Sequence, residues 1–118
     1  MSRSLDLYLE DIIEAIRKIT SYTKLMNFEE FCDDERTIDA VIRNLIVIGE
    51  AVKNIPDDIR KLEPETEWRK IAGLRDFAAH AYFHVSEQIV WDVVNTKLLP
   101  LNEAVTRILI GHDRQSKD

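Results

Sequence analysis

From a capping aspartate at Asp33 or Asp34 to about Asn54, apolar residues fall at Ile38, Val41, Ile42, Leu45, Ile48 and Val52, with Ile55 following and Pro56 as the stop. Steps of three and four lay these side chains in one stripe along a helix. Within it, Leu45-Ile46-Val47-Ile48 is apolar all round. Such a helix must lie centrally in a bundle or be covered by a partner as well. Gly49 sits inside the run and costs about 1 kcal/mol relative to alanine, which is accounted for if another helix crosses closely there. Arg43, Asn44 and Glu50 are polar groups embedded in the same helix. Two roles stay open for them: ion pairs along its flank, or support for a functional face on another element.

The rest of the chain supplies helices for this one to pack on. Ser4 caps a first helix carrying Leu5, Tyr8, Leu9, Ile12, Ile16 and Ile19. After Ser21 and Tyr22 the pattern loosens into an acidic connector, which Phe28 and Phe31 pin to the core. A short helical turn follows Pro56, and Pro64 to Glu67 open a third helix from about Trp68 to Ala81. Ser86 and Glu87 start a fourth with Ile89, Val90, Val93 and Val94; Pro100 suits the first turn of a fifth, with Leu101, Ala104, Val105, Ile108 and Leu109 before Gly111. The pattern predicts an all-α fold, an antiparallel four-helix bundle with a short additional helix, in a single domain over 1–112 with a polar tail at 113–118. Three glycines and three prolines in 118 residues are too few turn residues for a sheet.

The formal net charge of −6 argues against a general nucleic-acid coat. Locally the sign reverses: Trp68 to Phe83 holds Arg69, Lys70 and Arg75 against Asp76. No apolar run approaches the ~18 residues of a membrane span, and no signal peptide precedes Ser4. Cys32 is the single cysteine, so no internal disulfide can form. The expected setting is therefore cytoplasmic, without a membrane partner, and Cys32 is expected to be a semi-buried thiol with no catalytic part.

Chemistry concentrates in Gly73-Leu74-Arg75-Asp76-Phe77-Ala78-Ala79-His80-Ala81-Tyr82-Phe83, where Arg75, Asp76, His80 and Tyr82 lie within eight positions. On a helix with about 100° per residue, Ile71, Leu74, Phe77, Ala78 and Ala81 face the core. The opposite face reads Arg75, Ala79, Ala72, Asp76, His80 in angular order. An outward face normally carries long solvated side chains; an alanine strip between an arginine and a histidine leaves room for a second subunit or a polymer backbone. Asp76 can accept a proton from one ring nitrogen of His80 at i, i+4. Arg75 is roughly 140° around and about 7.5 Å along the axis from His80, so one chain alone need not close a site.

Histidine takes and gives protons near neutral pH, and arginine grips a phosphate through two parallel hydrogen bonds. Together they suit metal-free RNA cleavage by attack of a ribose 2′-OH, with fixed positive charge on the phosphorane. From spacing alone, a helix-exposed histidine with an aspartate four residues before it is more commonly a surface pair. A zinc pair at His80 and His84 lacks a third ligand cluster, and no Gly-rich phosphate loop or paired-cysteine motif occurs, so no cofactor or metal is expected.

Arg75-Asp76-x-x-x-His80-x-Tyr82 resembles the R-polar-x-x-x-H-x-Y signature of HEPN-domain toxins of the HepT type. The likeness extends to Ile48-Gly49-Glu50-Ala51, to Trp68 through Leu74, and to Ile89-Val90-Trp91-Asp92, covering most of residues 5–110. The resemblance implies a helical homodimer with a composite cleft and metal-independent endoribonuclease activity on an RNA substrate. It implies Arg75 and His80 as catalytic residues and Asp76 as the orienting one; asparagine often stands at the last position in the family, and an aspartate favours the charged form of His80. It also implies Tyr82 as the site where a minimal nucleotidyltransferase antitoxin adds AMP, a role compatible with a tyrosine ring packed at a helix end. The rival expectation is a non-catalytic module that presents substrate to a nucleotidyltransferase.

Overall fold

The computed structural model describes residues 4–81 and 86–117, with the backbone alone at 81 and 112–117. Helix α1 (Leu5–Thr23) begins where Ser4 accepts a hydrogen bond from the Leu7 N–H, and it buries Leu9, Ile12, Ile16 and Ile19. The connector that follows contains a short helix, α2 (Phe28–Cys32). Its start is closed reciprocally: Asn27 Oδ1 accepts the Glu30 N–H at 2.8 Å, and Glu30 Oε1 accepts the Asn27 N–H at 3.0 Å. Phe31 is fully buried, with the ring of Trp91 5.0 Å away and tilted against it. Phe31 pins this segment to the core, while Phe28 is half-buried and reaches it through Trp91, its ring 6.2 Å away.

Helix α3 (Glu35–Lys53) is the central element, lying against α1, α2 and, further along the chain, α5 (Trp68–Ala72) and α6 (Leu74–Ala81). All seven stripe residues from Ile38 to Ile55 are buried. Asp34 caps it, accepting from the Thr37 N–H at 3.0 Å and the Thr37 hydroxyl at 2.8 Å. These bonds, that to the backbone foremost, hold the Asp34 carboxyl below its usual range. A carboxyl lowered by folding adds stability above its unfolded value near 4, and that stability is lost as pH falls through the folded value. Asp34→Asn keeps a capping oxygen but cannot titrate. The urea midpoint of the wild type is therefore expected to exceed that of Asp34→Asn at neutral pH and to converge on it in acid; a gap independent of pH would contradict this account.

The C-terminus of α3 is closed from a distance. Arg60, at the end of α4 (Asp57–Arg60), donates from Nη2 to the Val52 carbonyl at 2.8 Å and from Nε to the Ile55 carbonyl at 3.0 Å. Carbonyls at a helix end lack intrahelical donors, and the guanidinium supplies them. The Trp68 indole N–H is shared between the carbonyls of Arg60 and Glu63, at 3.0 and 3.1 Å.

One predicted helix is divided in two. The segment from Trp68 to Ala81 forms α5 (Trp68–Ala72) and α6 (Leu74–Ala81), with Gly73 between them. Gly73 keeps right-handed angles, φ −66° and ψ −13°, and its N–H is shared between the carbonyls of Arg69 and Ile71. The ladder tightens locally there without turning the chain back, which is why the apolar period crosses the break intact. Helices α7 (Glu87–Thr96) and α8 (Leu98–Lys117) follow, α7 packing on α2 and α8, and α8 also on α1. Pro100 lies in the first turn of α8, where no backbone donor is required. Gly111 does not end this helix: its backbone continues to Lys117, and a Cβ at Gly111 would meet nothing within 4 Å. A glycine stops a helix only where the chain must leave it. The result is an all-helical bundle; among the described residues no helix is long and apolar enough to cross a membrane.

Candidate functional site

The position of the candidate site is set by a close crossing of α6 over α3. A Cβ built on Gly49 would stand 2.4 Å from the backbone nitrogen of Arg75, 2.8 Å from its Cβ and 2.9 Å from its Cα. Only a residue without a side chain fits there. The glycine expected to mark a crossing does so, and the residue crossing it is the arginine of the motif.

The inward face of α6 is as its period predicts: Leu74 and Ala78 are buried and Phe77 is partly buried. Outward lie Arg75, Asp76 and His80, all exposed, with Ala72 and Ala79 half-buried between them. The Arg75 side chain is 46% exposed, so its guanidinium is open to a ligand while its stem rests on protein. Two carboxylates hold it. Glu50 Oε1 on α3 is 2.9 Å from Nε, and Asp76 Oδ1 accepts from Nη1 at 3.0 Å. Both push the guanidinium further towards its charged form, Asp76 by its hydrogen bond foremost and Glu50 by its charge. Arg75 is a fixed cation at any pH at which the protein folds.

To the three polar residues embedded in α3 the structure assigns the roles left open. Glu50 takes both: it pairs with Arg75 of α6 at 2.9 Å and lies 4.0 Å from Lys53 Nζ along its own flank. Asn44 is buried and spends its amide on the Ala40 carbonyl at 2.8 Å, within its own helix. Arg43 is exposed and lines a small cleft with Asn44, Val47 and Tyr22. Tyr82 and His84 lie outside the described residues.

Other chemistry is less well placed. Burial, then the charges of Glu87, Asp33 and Glu29, push the Cys32 thiol up, which suppresses the thiolate a nucleophile needs. Among the described residues no group of three His, Cys, Asp or Glu side chains converges as metal ligands would. A cleft of about 720 Å³ opens beside α5, α7 and α8, lined by Glu63, Glu67, Leu74, Leu101, Lys97 and Arg107 among others. Arg75, Asp76 and His80 are not among its walls, and its basic groups are engaged in ion pairs, Arg107 with Glu63 and Lys97 with Glu67. The arginine and histidine stand instead on an open face.

Comparison with known proteins agrees with the motif. The family described as "Ribonuclease HepT-like" matches residues 12–108. A protein of Thermococcus cleftensis named "Probable ribonuclease HepT" is 50% identical over 94 residues, covering 80% of this chain and 86% of its own. A protein of Methanocaldococcus jannaschii is 40% identical over 112 residues, 92% of this chain and 93% of its own. One of Caldanaerobacter subterraneus subsp. tengcongensis is 36% identical over 102 residues, 86% and 91%; both are named provisionally as RNases. No solved structure matches.

Proposed function

Because the chain belongs to the HepT-like ribonuclease family, we propose that it is a cytoplasmic, metal-independent endoribonuclease toxin whose active site forms between two copies of itself. The observation that carries this reading is the half-exposed Arg75 guanidinium, fixed by Glu50 and Asp76 on the helix face that also presents His80. Support for a second copy comes from the surroundings: Ala72 and Ala79 leave that face low, and Val47, one turn before Glu50 on α3, is an exposed apolar residue. Across a two-fold axis, two histidines and two arginines would line one cleft.

The chemistry then runs without a cofactor. A neutral imidazole at His80 removes the proton of a ribose 2′-OH, and that oxygen forms a bond to the adjacent phosphorus. Arg75 stabilises the charge gathering on the non-bridging oxygens. The bond from phosphorus to the 5′ oxygen breaks, and that oxygen takes a proton from the imidazolium of the other copy. Asp76 orients the pair of catalytic side chains. The products are a 2′,3′-cyclic phosphate and a 5′-hydroxyl.

We assign Tyr82 as the control point. A minimal nucleotidyltransferase antitoxin would join the phenolic oxygen to the α-phosphorus of ATP and release pyrophosphate. The adduct puts negative charge and bulk where an RNA phosphate must sit.

Incubating the purified protein with end-labelled RNA, with and without a chelator, tests the assignment. Fragments ending in a 2′,3′-cyclic phosphate, at an unchanged rate with chelator, are expected. Intact RNA, with retention of a nucleotidyltransferase partner, would favour the non-catalytic module; loss of cleavage on chelation would overturn the metal-free mechanism.

A further inference from the structure

Arg75 is held at both ends by consecutive residues of α3. Gly49 seats its backbone, which approaches within 2.4 Å of where a Cβ would be, and Glu50 takes its Nε at 2.9 Å. Asp76, the other partner, is its chain neighbour and moves with it. Glu50 is 25 positions away on the central helix of the bundle, so among the described residues it alone ties the guanidinium to a frame independent of α6. Glu50 stands against Nε as an ion pair, and Asp76 accepts a hydrogen bond from Nη1. Nη2 donates no hydrogen bond to the described residues, and its two hydrogens are the ones an incoming phosphate can take up without displacing either carboxylate.

We infer that Glu50 is a positioning residue for Arg75, anchoring Nε so that Nη2 is presented to the scissile phosphate. The inference rests on the nuclease reading of this face. It also separates sharply from the plainer alternative, a solvated surface pair. Glu50 and Asp76 set two carboxylates against Arg75 where a polyanion must approach, and only Glu50 has a second cation near it, Lys53 Nζ at 4.0 Å among the described residues. A pair of no consequence would make Glu50 a hindrance, and removing it would strengthen RNA binding at no loss of rate. A positioning residue gives the opposite sign in kcat, because a guanidinium freed to wander loses its alignment with the transition state.

The experiment uses the full chain with Glu50→Ala, Glu50→Gln and Glu50→Asp, each checked for an unchanged melting curve. Glu50→Ala is expected to lower kcat roughly tenfold to a hundredfold, with KM for RNA unchanged or reduced. Glu50→Gln keeps an acceptor at the same reach and should recover part of kcat; Glu50→Asp, one methylene short, should recover less. In ¹⁵N–¹H spectra the Arg75 Nε–H signal, identified by its loss in Arg75→Lys, is expected to shift and exchange faster with solvent in Glu50→Ala. Unchanged kcat in all three variants, or an Nε–H signal indifferent to Glu50→Ala, would overturn the positioning role and leave the nuclease reading standing. Absence of cleavage by the wild type would instead overturn the nuclease reading and, with it, the reaction that Glu50 serves.

Discussion

Replacing His80 with alanine is expected to lower kcat for RNA cleavage by about 10²–10⁴-fold, the usual contribution of a positioned acid or base. Replacing Arg75 should cost about 10²–10³-fold, as when one preorganised donor to a developing anion is removed. Both side chains are exposed, so neither substitution opens a cavity, and stability should stay within about 0.5 kcal/mol of wild type. A large loss of rate in a protein that melts normally is the signature of a group acting on the transition state. Arg75→Lys should recover little, because a lysine keeps the charge but loses the planar fork that can serve Glu50, Asp76 and a phosphate together. Initial rates on a defined RNA, beside thermal melts of each variant, provide the check. Cleavage that survives both alanine substitutions would place the active site elsewhere.

The second large effect is expected at Gly49, which touches no substrate. Alanine there gains about 1 kcal/mol of helix propensity. Against this, its methyl would meet the backbone nitrogen of Arg75 at 2.4 Å, and a main-chain atom cannot swing aside as a side chain can. Overpacking of this kind typically costs about 1–3 kcal/mol, so the clash should outweigh the gain, with a net loss of up to about 2 kcal/mol. The effect on rate should be larger in proportion. Lifting α6 from α3 by even about 1 Å carries Arg75 with it and can cost about 10²-fold in kcat. Denaturant midpoints and single-turnover rates of Gly49→Ala measure the two effects separately. A variant more stable than wild type and fully active would mean that the two helices do not meet there.

How much of this was legible in the chain follows from distance along it. The α3 stripe and the division of α6 into an apolar and a polar face depend only on spacing within one helix, and the side chains from Ile38 to Ile55 are where that spacing puts them. Gly49 could be read as a crossing because glycine is costly inside a helix, but its partner could not be named. The pairing of Glu50 with Arg75, the reach of Arg60 to the Val52 carbonyl and the Trp91 ring against Phe31 each join separate elements. Such contacts depend on how helices rotate and cross, which no local period encodes. The break at Gly73 escaped for the opposite reason: the glycine stays right-handed, so the period shows no fault. The assignment of the candidate site rests on the motif as a whole, since an arginine five residues before a histidine is common by chance.

The indole of Trp68, shared between two carbonyls of the chain that Arg60 fastens to the end of α3, has a mechanical consequence. A connector of this length would ordinarily act as a hinge, letting the reactive helix swing clear of its support. Tied at both ends, it works as a splint for the start of α5, and an outward swing of α5 and α6 together would first have to break the bonds of Arg60 and Trp68. The grip on the guanidinium is thereby braced from behind.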